Sequence, residues 1–266
     1  MTDQKPMQRI QLAPGYEISR VIRGGWQLAG GHGAVRSDDP IADMIAFADA
    51  GITTFDCADI YTGVEELIGR FRLRYRELRV QGALDRIRVH TKFVPDLEVL
   101  PRITKAYVEG VIDQSLRRLN LECLDLVQFH WWDYDAPRWL EAAQWLGELR
   151  REGKIRQIGG TNFDTDHMLA IIEGGVPLVS MQVQYSLLDA RPREHGRARH
   201  GRDVDAVPIG YPAQGLEQGL EQVPAAEIVD DELVFDERAV LERLGWLGGA
   251  QPFVAKETAG HRAVAQ

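Results

Sequence analysis

The sequence predicts an α/β protein of the (β/α)8 barrel class, with the last two strand–helix units either unreadable or incomplete. Short β-branched runs alternate with helical apolar stripes about six times before residue 190, the pattern of parallel strands covered by helices. The chain has 266 residues, close to the roughly 250 that one such barrel takes. The alternative is an open doubly wound sheet. Its dinucleotide fingerprint is missing, because the first junction, GGWQLAGG, is glycine-rich but does not have the G-x-G-x-x-G spacing.

Taken in order, Arg20 to Ala29 (RVIRGGWQLA) reads as a strand ending in glycines. Ile41, Met44, Ile45 and Ala48 mark one helix face between Asp39 and Ala50, and Gly51 stops that helix. Ile52 to Ala58 (ITTFDCA) is β-branched and aromatic enough for a strand. A helix through Glu65, Leu67, Ile68 and Phe71 follows, then the strand Ile87 to Phe93 (IRVHTKF). Val108, Val111, Ile112, Ser115, Leu116 and Leu119 lie on a third helical stripe, before the strand Leu124 to Phe129. Pro137 suits the first turn of a helix carrying Trp139, Leu140, Ala143, Leu146 and Leu149. Ile155 to Gly160, a short helix around Met168 to Ile172, and Leu178 to Val183 complete the regular part.

Past residue 190 the rhythm breaks. Arg191 to Arg202 sets five arginines against one acid with almost no apolar residues. An acidic stretch follows, with DVDAVPIGYP as its strand-like run and Val229 to Leu247 as an expected amphipathic helix. The chain therefore divides into a barrel portion, residues 1–190, and an atypical C-terminal segment, residues 191–266, which is either altered or completes the barrel.

Composition narrows the function. At 44% hydrophobic and 27% charged, the chain can bury a sizeable core and is no disordered tract or disulfide scaffold. No apolar run approaches the roughly 20 residues of a membrane-spanning helix. The net charge of -9 repels phosphates and argues against nucleic acid as a partner. The opening residues, MTDQKPMQRI, lack the apolar core of a signal peptide. Cys57 and Cys123 read as reduced thiols with no metal-type spacing, so the expected location is the cytoplasm, and no metal site is expected.

Four polar residues fall at or just past strand ends. These are Asp56, Tyr61, Lys92 and His130. In a parallel barrel all such ends open on one face, where the active site sits. Their chemistry is coherent. An ammonium beside a phenol is expected to lower its pKa, a carboxylate holds the ammonium, and an imidazole orients a carbonyl or relays a proton. Each residue also has an ordinary reading, such as a helix cap, a solvated cation, core packing or a satisfied core histidine. Their position at three successive strand ends is what makes the set specific.

FDCADIY (Phe55 to Tyr61), HTKF (His90 to Phe93), DLVQFHWWD (Asp125 to Asp133), GKIRQIGGTNF (Gly153 to Phe163) and MQVQYSLL (Met181 to Leu188) resemble the aldo-keto reductases over about residues 15 to 190. The resemblance implies a (β/α)8 barrel that binds a nicotinamide cofactor, NADP(H), without a Rossmann domain. It implies Tyr61 as general acid, Asp56 and Lys92 as the groups that tune it, and His130 as the group that positions a small-molecule carbonyl substrate. It further implies that Thr161, Asn162 and Gln182 hold the nicotinamide carboxamide, with Gly25, Trp26 and Asp56 also lining the cofactor. Thr161 and Asn162 read equally as a helix N-cap. Trp131 and Trp132 are expected either to wall the substrate site or to pack in the core. The family's segment for the adenosine phosphate has no match in the acidic tail, and Tyr211 is a candidate for its stacking aromatic. The tail reads like a chain altered by truncation, splicing or a frame change, which would leave a barrel with open edges and predicts instability or oligomerisation.

The expected activity is NADPH-dependent reduction of an aldehyde or ketone, or the reverse. The competing readings are a non-catalytic NADP-binding sensor or partner-binding barrel, and a different barrel enzyme using Lys92 as a Schiff-base nucleophile.

Overall fold

The chain is described by a computed structural model covering residues 7–29, 39–80 and 82–183, together with the backbone of 226–229 and 232–235. A hairpin precedes the predicted alternation. Strand β1 (Arg9–Ala13) pairs antiparallel with β2 (Tyr16–Ser19) across a turn in which Gly15 takes φ +72°. Six parallel strands follow, β3 (Ile22–Gly24), β4 (Thr54–Asp56), β5 (Arg88–Phe93), β6 (Leu124–Phe129), β7 (Ile155–Thr161) and β8 (Met181–Gln182). They neighbour one another in sequence order with no strand skipped, which is how the wall of a (β/α)8 barrel is built.

The helices are α1 (Pro40–Asp49), α2 (Val64–Leu78), α3 (Lys105–Leu119), α4 (Trp139–Arg151) and α5 (Thr165–Glu173). Side chains cap three of their N-termini. Asp39 accepts from the Ile41 and Ala42 amides, Thr104 from Tyr107, and Asp164 from His167. Met44, Ile68, Phe71, Val108, Ile112, Leu146 and Ile171 are buried on the helices with Phe55, Val89, Phe93, Val127, Phe129 and Ile158 of the strands in one core. A second, smaller core joins Tyr16 and Ile18 of the hairpin to Leu126 of β6. There the Tyr16 hydroxyl meets Nε2 of the fully buried His90 at 3.1 Å, so the hairpin fills the sheet's inner face below the strand ends.

Several expectations need correction. The first strand is much shorter than Arg20 to Ala29. Pairing ends at Gly24, and Trp26–Ala29 forms a 3-10 turn. Gly25 follows the break, at a position where a Cβ would lie 2.8 Å from both the Asp56 carbonyl oxygen and Val64 Cγ1. The strands expected over 52–58 and 178–183 contract to Thr54–Asp56 and Met181–Gln182. The helix expected from Val229 does not begin there. Strand β9 (Ala226–Val229) pairs antiparallel with β10 (Glu232–Phe235), matching Leu233 with Ile228. Two short apolar runs separated by Asp230 and Asp231 give a hairpin rather than a helical stripe. This hairpin belongs to a unit of residues 1–5 and 214–266, and the parallel sheet to a unit of residues 6–213. The arginine-rich run 191–202, Tyr211 and residues 236–247 lie outside the described residues.

Candidate active site

Strand register does most of the assembly. Asp56 ends β4, Lys92 lies one residue from the end of β5, and Gln128 is its register partner on β6. Residues at alternate positions share a face, so these side chains meet on the inner face. Lys92 Nζ donates to Asp56 Oδ2 at 2.7 Å and to the Cys57 carbonyl oxygen at 2.8 Å. Gln128 Nε2 donates to Asp56 Oδ1 at 2.6 Å, and Gln182 Nε2 reaches the same oxygen at 3.4 Å. Asp56, Lys92 and Gln128 are all buried.

Tyr61 lies in the turn from β4 to α2, where its amide donates to the Ala58 carbonyl and its own carbonyl accepts from Val64. The Lys92 nitrogen sits 5.1 Å from the centre of its ring. On the other side, the exposed Trp26 ring meets Tyr61 edge-on at 4.8 Å. Gly25 is buried behind them, and its missing Cβ is what allows the first strand end to approach Asp56.

His130 follows β6, held by its amide on the Phe93 carbonyl at 3.0 Å. Its Nδ1 lies 3.3 Å from the Thr161 carbonyl oxygen, and its ring meets Trp132 edge-on at 4.5 Å. Thr161 Oγ1 lies 3.2 Å from both the backbone and the side-chain oxygen of Gln182. The Asn162 amide donates to the Gln182 carbonyl at 2.9 Å, and φ +60° at Asn162 turns its side chain out at the strand end. The sequence-derived candidates among the described residues thus gather at the C-terminal ends of β3 to β8, while Tyr211 lies outside those residues.

Two neighbouring tryptophans separate. Trp132 is 49% exposed, with its indole N–H fixed on the Pro95 carbonyl at 2.8 Å, and it borders the site beside His130. Trp131 is 3% exposed and packs against Phe129, so it belongs to the core. Gln128 escaped the sequence reading. Its one signal was a polar residue inside the otherwise buried run LVQF, two positions before His130.

The electrostatics follow from burial. Burial disfavours the Lys92 ammonium, but the charges and hydrogen bond of its neighbours, Asp56 above all, more than reverse this and raise its pKa. A firmly protonated amine is a poor nucleophile, which argues against Lys92 as a Schiff-base former. The Tyr61 phenol was expected to be lowered by Lys92. Burial outweighs the ammonium, and its pKa is raised, so the phenol keeps its proton at neutral pH. Burial also lowers His130, only partly offset by its contact with the Thr161 carbonyl, and the Lys92 charge adds to the fall.

A model of the Aldo/keto reductase family matches residues 20–227. The uncharacterized oxidoreductase YcsN of Bacillus subtilis is 34% identical over 196 residues, covering 68% of this chain and 61% of its own length. A thermostable aldo-keto reductase crystallised with the inhibitor epalrestat superposes with TM-score 0.58 at 28% identity, covering 71% of this chain and 67% of that one. An aldo/keto reductase from Klebsiella pneumoniae in complex with NADP and acetate gives TM-score 0.56 at 26% identity, covering 70% and 62%. The chain therefore spans about three-fifths of the length of that curated relative.

Proposed function

The chain belongs to the aldo/keto reductase family, and from that premise we propose that it is an NADP(H)-dependent oxidoreductase that interconverts a small aldehyde or ketone with its alcohol. The observation that carries the reading is the Asp56–Lys92 pair at 2.7 Å, with the Lys92 nitrogen 5.1 Å from the Tyr61 ring at the open strand ends.

The donor set suits the nicotinamide end of such a cofactor. The Asn162 carboxamide is exposed, has no side-chain partner among the described residues, and offers both a donor and an acceptor. The Thr161 hydroxyl and the Gln182 amide stand beside it and extend the polar edge to Asp56. The Klebsiella relative holds NADP, which favours that cofactor. When bound, the cofactor would supply or accept a hydride.

The chain's own residues then handle the oxygen and its proton. Tyr61, protonated at neutral pH, gives its phenolic proton to an oxygen that becomes negative during reduction. Lys92 stabilises the resulting phenolate, while Asp56, itself held by Gln128, keeps Lys92 in place. His130 directs the oxygen. With Nδ1 facing the Thr161 carbonyl, the neutral ring carries its proton there and accepts at Nε2, which suits an alcohol hydroxyl. Its imidazolium, which burial disfavours, donates at Nε2 and suits a carbonyl oxygen. Gly25 and Trp26 complete the site wall against Tyr61.

The barrel portion is taken as residues 1–190, with 191–266 a segment of different character. None of the described helices is long and apolar enough to cross a membrane. With two free cysteines this favours the cytoplasm, and the net charge of -9 disfavours nucleic acid.

The test is NADPH binding by fluorescence quenching, with NADH and Tyr61→Phe in parallel. The reading expects the variant to keep NADPH binding and to lose turnover on a carbonyl panel by about a hundredfold or more. Tight binding without turnover by the unaltered chain would favour the sensor reading instead.

A further inference from the structure

The FDCADIY run holds a second carboxylate, Asp59, that the proposed chemistry does not use. It lies two residues before Tyr61, in the turn between β4 and α2. One oxygen, Oδ2, accepts the Val94 amide at 3.0 Å, and the other, Oδ1, accepts the Ile60 amide at 2.9 Å. Val94 is the first residue past β5 and lies two positions from Lys92. A single carboxylate therefore bridges the turn carrying Tyr61 to the strand end carrying Lys92.

The same turn is braced from outside. Arg118 of α3 donates through Nη1 to the Asp59 carbonyl oxygen at 3.2 Å and to Glu65 Oε2 at 3.3 Å. Its Nε pairs with Glu66 at 3.0 Å. Glu65, only 1% exposed, accepts the hydroxyl of Thr91, the residue before Lys92, at 2.7 Å. Both neighbourhoods of Lys92 are thereby tied to the first turn of α2 and the loop before it.

We propose that Asp59 is a positioning residue that sets Tyr61 against Lys92, its carboxylate latching the Tyr61 turn to the end of β5 while Arg118 and Glu65 brace that turn. The latch is a physical contact whatever the chain catalyses, and its kinetic consequence rests on the reductase reading above. A phenol that must face an ammonium is sensitive to sub-ångström placement, and a shift of about 1 Å can lower a rate about a hundredfold.

The latch is also pH-dependent. Burial raises Asp59 to about 7, opposed by the Val94 hydrogen bond and reinforced by the charge of Glu65. The groups facing it are Glu65 from α2, Arg118 and Tyr107 from α3, and the Val94 amide from the end of β5. Ionised, Asp59 accepts strongly at both oxygens. Protonated, it accepts weakly at one of them.

The test uses the full chain with Asp59→Ala and Asp59→Asn, the latter of the same shape and with one acceptor oxygen left. In Asp59→Ala, hydrogen exchange at the Ile60 and Val94 amides should accelerate about tenfold or more while β6 amides stay protected. The kcat should fall about tenfold to a hundredfold with NADPH affinity and carbonyl KM little changed. Asp59→Asn should recover part of that kcat and should lose the decline that the unaltered chain shows as pH falls from about 8 to about 6. Unchanged exchange at both amides overturns the proposal. So does a kcat that falls in step with NADPH affinity, or an acid decline that persists in Asp59→Asn. A Tyr61→Phe chain that keeps its rate would sink the reductase reading instead, and exchange at Ile60 and Val94 would then judge the latch alone.

Discussion

Asp56 has four lone-pair sites and meets three donors, which makes it the residue through which four strand ends communicate. Lys92 and Gln128 donate to its two oxygens at 2.7 and 2.6 Å, and Gln182 reaches in at 3.4 Å. At this scale the site was legible where a charged or phenolic residue met a strand end, as at Asp56, Tyr61, Lys92 and His130. Gln128 was not, because its importance appears only when register sets it opposite Lys92. The adjacent tryptophans were ambiguous because neighbouring residues after a strand turn opposite ways, and sequence does not say which turns inward. Their fates now make a prediction. Trp131→Ala should cost about 3 to 5 kcal/mol in urea unfolding, as a large buried ring does. Trp132→Ala should cost under about 1 kcal/mol, since it loses a half-exposed ring with one part-buried indole hydrogen bond, yet raise KM for an apolar carbonyl. Equal stability losses in the two variants would refute the division.

Elements explain why these residues converge. Parallel strands in sequence order carry residues far apart in the chain to one face, which the alternation of strands and helices already implied. The β1–β2 hairpin was not anticipated, because its turn, Pro14–Gly15, lies ahead of the regular rhythm. Yet it is this hairpin that fills the inner face with Tyr16 and leaves only the opposite end for chemistry. Helix α5 is a second case. Its cap, Asp164, accepts the His167 amide at 2.9 Å and lies 2.8 Å from its ring nitrogen. That ring stacks on Tyr134 of the loop after β6 at 3.7 Å, and the Tyr134 hydroxyl reaches the Asn162 carbonyl at 3.5 Å. One cap thus steadies the Asn162 turn. Asp164→Ala should cost about 1 kcal/mol by thermal unfolding, the usual penalty for a lost N-cap, and should weaken NADPH binding as well. Lost stability with unchanged NADPH affinity would confine Asp164 to capping.

For the whole molecule, the parallel-sheet part was legible because each unit repeats one physical pattern, a buried strand followed by a one-faced helix. The tail was not, because its short apolar runs fit a hairpin and a helix equally well until pairing chooses between them. Two buried titratable groups now set opposite pH trends on the stability of the 6–213 unit. His90 is fully buried, and burial lowers its pKa from 6.5 to about 4. The unfolded chain therefore binds a proton that the folded one does not, and stability falls as pH drops from about 6.5 toward about 4. Asp59 is raised to about 7, so its folded form holds a proton that the unfolded one has released, and stability rises over the same descent. The two oppose each other in the unaltered chain, so its own profile shows neither alone. Replacing one member exposes the other. With His90→Gln, which still reaches toward Tyr16, the stability difference from the unaltered chain should shift by about 2 kcal/mol in the variant's favour between pH 7 and pH 5. Urea unfolding at the two pH values measures it. A difference that is the same at both would mean that His90 titrates inside the fold as it does unfolded, so that at pH 5 the Tyr16 contact is made by an imidazolium.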